Sequence, residues 1–171
     1  MKNKTVYITQ GALIASLYVI LTLISSFFGL ANGVIQVRLS EALTILPIFV
    51  SSAIPGLFIG CIISNIITNC AIYDVIFGGF ATLIGACGTH IIWKLCVKKY
   101  NRKLSKILAS IPPIISNTLI VPWILSRVYN LEGSIIYFVV TVLIGEIISA
   151  GIGGQLLAKA IEPHKEQLGL K

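Results

Sequence analysis

Only six of the 171 residues are acidic, and the surroundings of two make them chemically conspicuous. Arg38 and Glu41 stand three apart in Gln36-Val37-Arg38-Leu39-Ser40-Glu41-Ala42-Leu43, between two long apolar segments. Glu146 sits in Leu143-Ile144-Gly145-Glu146-Ile147-Ile148. A carboxylate at bilayer depth costs several kcal/mol unless it is paired, which makes such a group a binding candidate by default. Asn117, midway along a later apolar segment, is placed to meet Glu146. Asn65 and Asn69 are four apart and are expected to share a helix face near the outer end of their segment. Each amide reads equally well as a hydrogen bond between helices.

Simpler roles exist for several of these groups. Arg38 and Glu41 read as a local salt bridge with Ser40 as helix N-cap, which if exposed is worth under about 1 kcal/mol. The sharper alternative is a partly buried pair lining a pocket. Asp74 reads as a first-turn residue favoured by the helix dipole. Tyr73 and Trp123, near the outer ends of their segments, are placed to stack on a planar ligand. His90 and Trp93 read as packing or interfacial residues. No Ser/His/Asp set, HExxH or phosphate loop occurs, so neither hydrolytic chemistry nor an ATP site of the chain's own is written here.

The elements that must position these groups are membrane helices. The chain is 56% hydrophobic and 11% charged, with mean hydropathy +0.95, against about 25% charged in soluble domains. Apolar runs of about 20 residues span a bilayer, and six spans are predicted, about 6–28, 40–51, 54–70, 74–97, 106–127 and 134–160, forming a single compact all-α bundle. The first run is too long for a signal peptide and lacks a cleavage site, so it reads as a retained helix. The second is short, ending near Pro47 to Pro55, and Pro112, Pro113 and Pro122 should bend the fifth. Cys61, Cys70, Cys87 and Cys96 lack metal spacing and read as small core residues.

Basic residues set the orientation. Lys2 and Lys4, the cluster Lys94, Lys98, Lys99, Arg102, Lys103 and Lys106, and Lys159, Lys165 and Lys171 fall on one side, which places both termini in the cytoplasm. Arg38, Arg127, Asp74 and Glu132 then lie outside, with Glu41 just within that boundary. The basic cluster answers to topology rather than to nucleic acid. Helix one carries small residues at Gly11/Ala15 and Ala12/Ser16, a surface that lets another helix approach closely. Packing within the bundle is one use for it; docking of an external partner is the other.

Several stretches resemble a known family. Val37-Arg38-Leu39-Ser40-Glu41-Ala42-Leu43-Thr44-Ile45-Leu46-Pro47, Ile54-Pro55-Gly56-Leu57-Phe58-Ile59-Gly60-Cys61, Asp74-Val75-Ile76-Phe77-Gly78-Gly79 with Ala81-Thr82-Leu83, and Gly145-Glu146 are similar to the QueT family of queuosine-precursor transporters. These are S components, the substrate-binding subunits of energy-coupling factor (ECF) importers. The resemblance covers most of the chain, and its first block is the most specific. It implies a six-helix fold in the cell membrane and uptake of a 7-deazaguanine such as preQ1. It also implies a transmembrane T component and two ATPases as partners, with no cofactor in this chain and ATP spent on the partner subunits.

The implied ligand suits the residues. A guanine-like edge offers two donors to one carboxylate, Glu41 or Glu146, while the cationic aminomethyl group of preQ1 can pair with a second. Asn65, Asn69 or Asn117 can serve the ring oxygen and nitrogens, and Arg38 is expected to orient Glu41. Gly11, Ala12, Ala15 and Ser16 are the expected docking face for the T component. Two other transporter readings stay open, an S component for a different vitamin or for a different nucleobase. An unrelated class, a small membrane enzyme using Glu146 with His90, requires those two side chains to meet. A purely structural partner would have a dry core.

Overall fold

A computed structural model describes residues 4–30, 36–129 and 133–165; Lys2, Glu132 and Lys171 lie outside them. Seven α-helices occur among these residues: α1 Lys4–Phe27, α2 Ala53–Ile67, α3 Ile72–Cys96, α4 Arg102–Ala109, α5 Ile111–Arg127, α6 Ile135–Glu146 and α7 Gly154–Ile161. A 3-10 segment, Leu39–Ile48, precedes α2, and a π-helical segment, Ile147–Gly153, joins α6 to α7. The expected all-helical bundle is what the chain forms. Four stretches are long and apolar enough to cross a membrane: Lys4–Phe27, Ile72–Cys96, Arg102–Arg127 and Ile135–His164. Leu39–Ile48 and Ala53–Ile67 are shorter.

The 3-10 segment forms the centre of the bundle. It packs against α1, α2, α3, α4, α7 and the π segment, and all its residues but Leu39 and Ala42 are buried. Runs beyond three or four residues are uncommon for this winding, whose rise is about 2.0 Å per residue. Two features hold it here. Pro47 has no N–H to give to an α-helical ladder, and the Thr44 hydroxyl donates to the Glu41 carbonyl at 2.6 Å. From α3, His90 Nδ1 bonds the Pro47 carbonyl at 2.8 Å. The predicted span 40–51 is therefore a buried plug rather than a lipid-facing helix.

Small residues let the helices close around this plug. Where α1 crosses α2, a Cβ added at Gly56 would lie 2.6 Å from the Gly11 carbonyl oxygen, so only glycine permits this separation. Consequently the small face of helix one divides. Gly11 and Ala15 turn toward α2, and Ala12 and Ser16 are exposed.

The predicted fifth span is instead two helices meeting at Ser110. Pro112 and Pro113 occupy the first turn of α5, where a missing N–H costs nothing, and they pack on Gly88 and Gly85 of α3. The bend expected from the prolines thus falls before them. The π segment, which directly follows Glu146, was not signalled by any proline; such windings are frequent at functional sites.

Candidate functional site

The buried polar centre is built from α1, the start of the 3-10 segment, α5 and the end of α6. Tyr18, Thr22 and Ser25 recur along one face of α1, which turns them together toward residues 39–41. Ser25 Oγ accepts from the Leu39 N–H at 2.9 Å, Thr22 Oγ1 donates to Ser40 Oγ at 2.9 Å, and the Tyr18 hydroxyl donates to Glu41 Oε1. This ladder fixes Glu41 toward the interior, where it is only 3% exposed.

On the opposite side, Asn117 bridges the two carboxylates. Its Nδ2 donates to Glu146 Oε1 at 2.9 Å and to Glu41 Oε2 at 3.3 Å. Asn117 and Glu146 are both buried, and Glu146 Oε2 has no hydrogen-bond partner among the described residues. A buried acceptor left without a donor is costly, and Glu146 also lines a cavity of about 20 Å³ with Glu41, Asn117, Cys61, Gly78 and Thr82. That is room for one water-sized group.

A second cavity, about 250 Å³, adjoins it and is lined by Thr68, Asn69, Cys70, Asp74 and Tyr129. Gln36, Arg38 and Val121 line both, so Arg38 stands at the neck between an inner and an outer compartment. Arg38 Nη2 lies 4.0 Å from Asp74 Oδ2, and Nη1 lies 3.5 Å from Asn65 Oδ1. Asn65 Nδ2 donates to the Asp74 carbonyl at 3.3 Å, and the Tyr129 hydroxyl donates to Asp74 Oδ2 at 3.2 Å while accepting from the Ala71 N–H at 3.1 Å. Burial pushes the Tyr129 phenol up to about 12, which keeps it a neutral donor. At the neck, the Gln36 carbonyl sits over Gly145, where a Cβ would come within 2.1 Å of its oxygen.

Several expected placements change. Arg38 does not pair with Glu41: as the extended residue preceding the 3-10 turn (φ −98°, ψ 109°), it points toward α2 and α3, whereas Glu41 points between α1 and α5. Ser40 is not the N-cap; Arg38 holds that position without a side-chain cap, and Ser40 serves Thr22 instead. Asn69 follows the end of α2 with φ 55°, so it is exposed at the outer cavity and does not share a face with Asn65. Trp123 and Tyr73 are about half exposed and line neither cavity; Trp123 meets Phe77 edge-on at 6.1 Å between centroids. Asp74 does occupy the first turn of α3, and it is buried as well.

Tyr18, Gln36 and Tyr129 were missed as site residues. The spacing of Tyr18, Thr22 and Ser25 (i, i+4, i+7) was a legible polar stripe in an apolar helix, while Gln36 and Tyr129 carried no such signal. Among the described residues no three His, Cys, Asp or Glu side chains are grouped to hold a metal.

A family model described as QueT transporter matches residues 8–163, a range that contains every group of this site. The chain belongs to the QueT transporter family. It is 41% identical over 83 residues to a protein of Lactococcus lactis subsp. cremoris named queuosine precursor transporter QueT. That stretch is 48% of each chain, so the match spans about half the length of the relative. No solved structure matches significantly. With its apolar helices, this QueT family chain is a membrane protein, and two buried carboxylates share one amide at its centre.

Proposed function

We propose that this protein is the substrate-binding S component of an ECF-type importer that takes up a 7-deazaguanine such as preQ1. The observation that carries the reading is the unpartnered Glu146 Oε2 beside an amide already shared with Glu41. Two buried carboxylates require donors and positive charge. A ligand with a guanine-like donor edge and a cationic aminomethyl arm supplies both. Asn117 donates to both carboxylates, and its own carbonyl oxygen remains an acceptor for ligand N–H groups.

A bicyclic base exceeds the inner space of about 20 Å³, so it enters through the outer compartment and the Gln36–Arg38 neck withdraws to seat it. That compartment faces outside the cell when the basic ends lie in the cytoplasm, and the chain crosses the cell membrane several times. In this reading the chain binds and releases substrate, and ATP is hydrolysed by two partner ATPases. A T component docks on a lateral groove of about 650 Å³ lined by Gly11, Ala12, Ala15 and Ser16 of α1 with Pro55 and Gly56 of α2. Among the described residues no charged side chain lines it, which suits close helix approach in lipid. Binding of preQ1, guanine and riboflavin to the purified protein tests the substrate. Preference for preQ1 is expected; guanine bound equally well contradicts a role for the aminomethyl arm, and riboflavin bound best contradicts the substrate class.

A further inference from the structure

A second lateral groove has different chemistry. It holds about 770 Å³ between α4–α5 and the π segment with α7. Lys103, Lys106 and Lys159 line one end, and among the described residues no acidic side chain lines any of it. Glu162 lies just beyond, 2.5 Å from Lys106 Nζ and 3.1 Å from Arg102 Nε. Lys103 and Lys159 are exposed and have no carboxylate within 4.0 Å among the described residues.

The lining is graded along both walls. On one wall Lys103 and Lys106, with Ile107 beside them, give way to Ser110, then to Ile111 and Ile114; on the other, Lys159 and Leu156 give way to Gln155, then to Ile152 and Ile147. Gln155 Nε2 donates to Ser110 Oγ at 2.7 Å and to the Lys106 carbonyl at 3.0 Å, tying the walls together at the polar level. Cation, neutral polar group and aliphatic surface follow in the order of a phospholipid's phosphate, ester and acyl chain.

We propose that this groove is a binding site for an anionic phospholipid, its headgroup between Lys103 and Lys159 and an acyl chain along Ile111 and Ile114. Charge complementarity selects the occupant: among the described residues the α1–α2 groove of similar size has no lysine, whereas lysines beside a groove attract anionic headgroups. The inference rests on the membrane character of the helices and not on the identity of the transported substrate.

The test is native mass spectrometry of the full-length protein in detergent with added dioleoyl phosphatidylglycerol or dioleoyl phosphatidylcholine. Phosphatidylglycerol is expected to be retained about tenfold or more over phosphatidylcholine. The double variant Lys103→Gln/Lys159→Gln should abolish that preference, and Lys98→Gln/Lys99→Gln, off the groove, should keep it. Ile107→Trp, which alters the groove wall without altering charge, should also reduce retention. Equal retention of both lipids by the natural protein overturns the proposal. So does a preference that survives loss of Lys103 and Lys159, or one lost equally with Lys98 and Lys99, since that reflects diffuse charge. Undiminished retention in Ile107→Trp overturns the groove as the seat of the lipid.

Discussion

The side-chain amide of Asn117 lies 2.9 Å from Glu146 Oε1, joining α5 to the last turn of α6 beside the carboxylate of Glu41. The same nitrogen reaches Glu41 Oε2 at 3.3 Å, so one amide holds two acidic side chains from different elements, the 3-10 segment and α6. Asn117→Ala removes both bonds and leaves two buried acceptors short of a donor. Leaving a buried polar group unsatisfied costs about 1–3 kcal/mol, and a drop of that size in unfolding free energy is expected in detergent. Asn117→Asp, which places a third carboxylate there, is expected to be worse; a stability equal to that of the natural protein would show the amide to be dispensable.

Tyr18 links the candidate docking helix to the site, since its hydroxyl donates to Glu41 Oε1 from a fully enclosed position. Tyr18→Phe keeps the ring and deletes the bond. It is expected to destabilise the fold by about 1–3 kcal/mol and to weaken substrate binding by freeing Glu41 to turn. Chemical denaturation and a binding titration on the same preparation check both effects.

Gly145 permits the neck to close. A methyl group there would overlap the Gln36 carbonyl, at 2.1 Å from its oxygen, and backbone must move to admit it. Overpacking of this kind costs about 1–3 kcal/mol. Gly145→Ala is expected to lower the thermal midpoint and to speed substrate dissociation, measured by stopped-flow competition. A slower dissociation would show that the neck does not retain the ligand.

Tyr129 gives a pH signature. Its phenol is pushed up from the ordinary value of about 10 to about 12 by burial. Between those values the unfolded chain has lost the proton and the folded chain keeps it, so the Tyr129 contribution to stability is full below pH 10 and falls as pH rises to 12. Tyr129→Phe is expected to flatten that part of the stability profile relative to the natural protein, measured as denaturant midpoint against pH. Parallel profiles for the two proteins would contradict the donor role toward Asp74.

Ala12 and Ser16 are the exposed half of the small-residue face. Ala12→Leu with Ser16→Leu is expected to abolish co-purification with a T component and its ATPases while leaving preQ1 binding to the isolated subunit within twofold. Loss of both, or of neither, would count against the α1–α2 groove as the docking surface.

Composition and the length of apolar runs made the helical membrane bundle legible, and the block around Glu41 together with Gly145-Glu146 made the family legible. Asn117 and Glu146 were visible because amides and carboxylates are costly in an apolar run. Their meeting with Glu41 depends on how the 3-10 segment is seated, and no local pattern encodes that. Arg38 shows the limit well. Three residues of separation suggested a partner at Glu41, but the extended backbone at Arg38 sends its side chain to Asp74 and Asn65 instead. Tyr73 and Trp123 stand half exposed and outside both cavities, a placement their position near helix ends could not distinguish from one against a ligand. The π segment packs against the plug together with α7, a tertiary contact with no proline to announce it.

The central claim is that Glu41 and Glu146 hold the ligand. Calorimetric titration of preQ1 into the purified natural protein, Glu41→Gln and Glu146→Gln measures it most directly. The account predicts that each substitution weakens binding tenfold or more, about 1.4 kcal/mol, with Glu146→Gln the more severe because one of its oxygens has no partner within the protein's described residues. Natural affinity for preQ1 in both variants would contradict it.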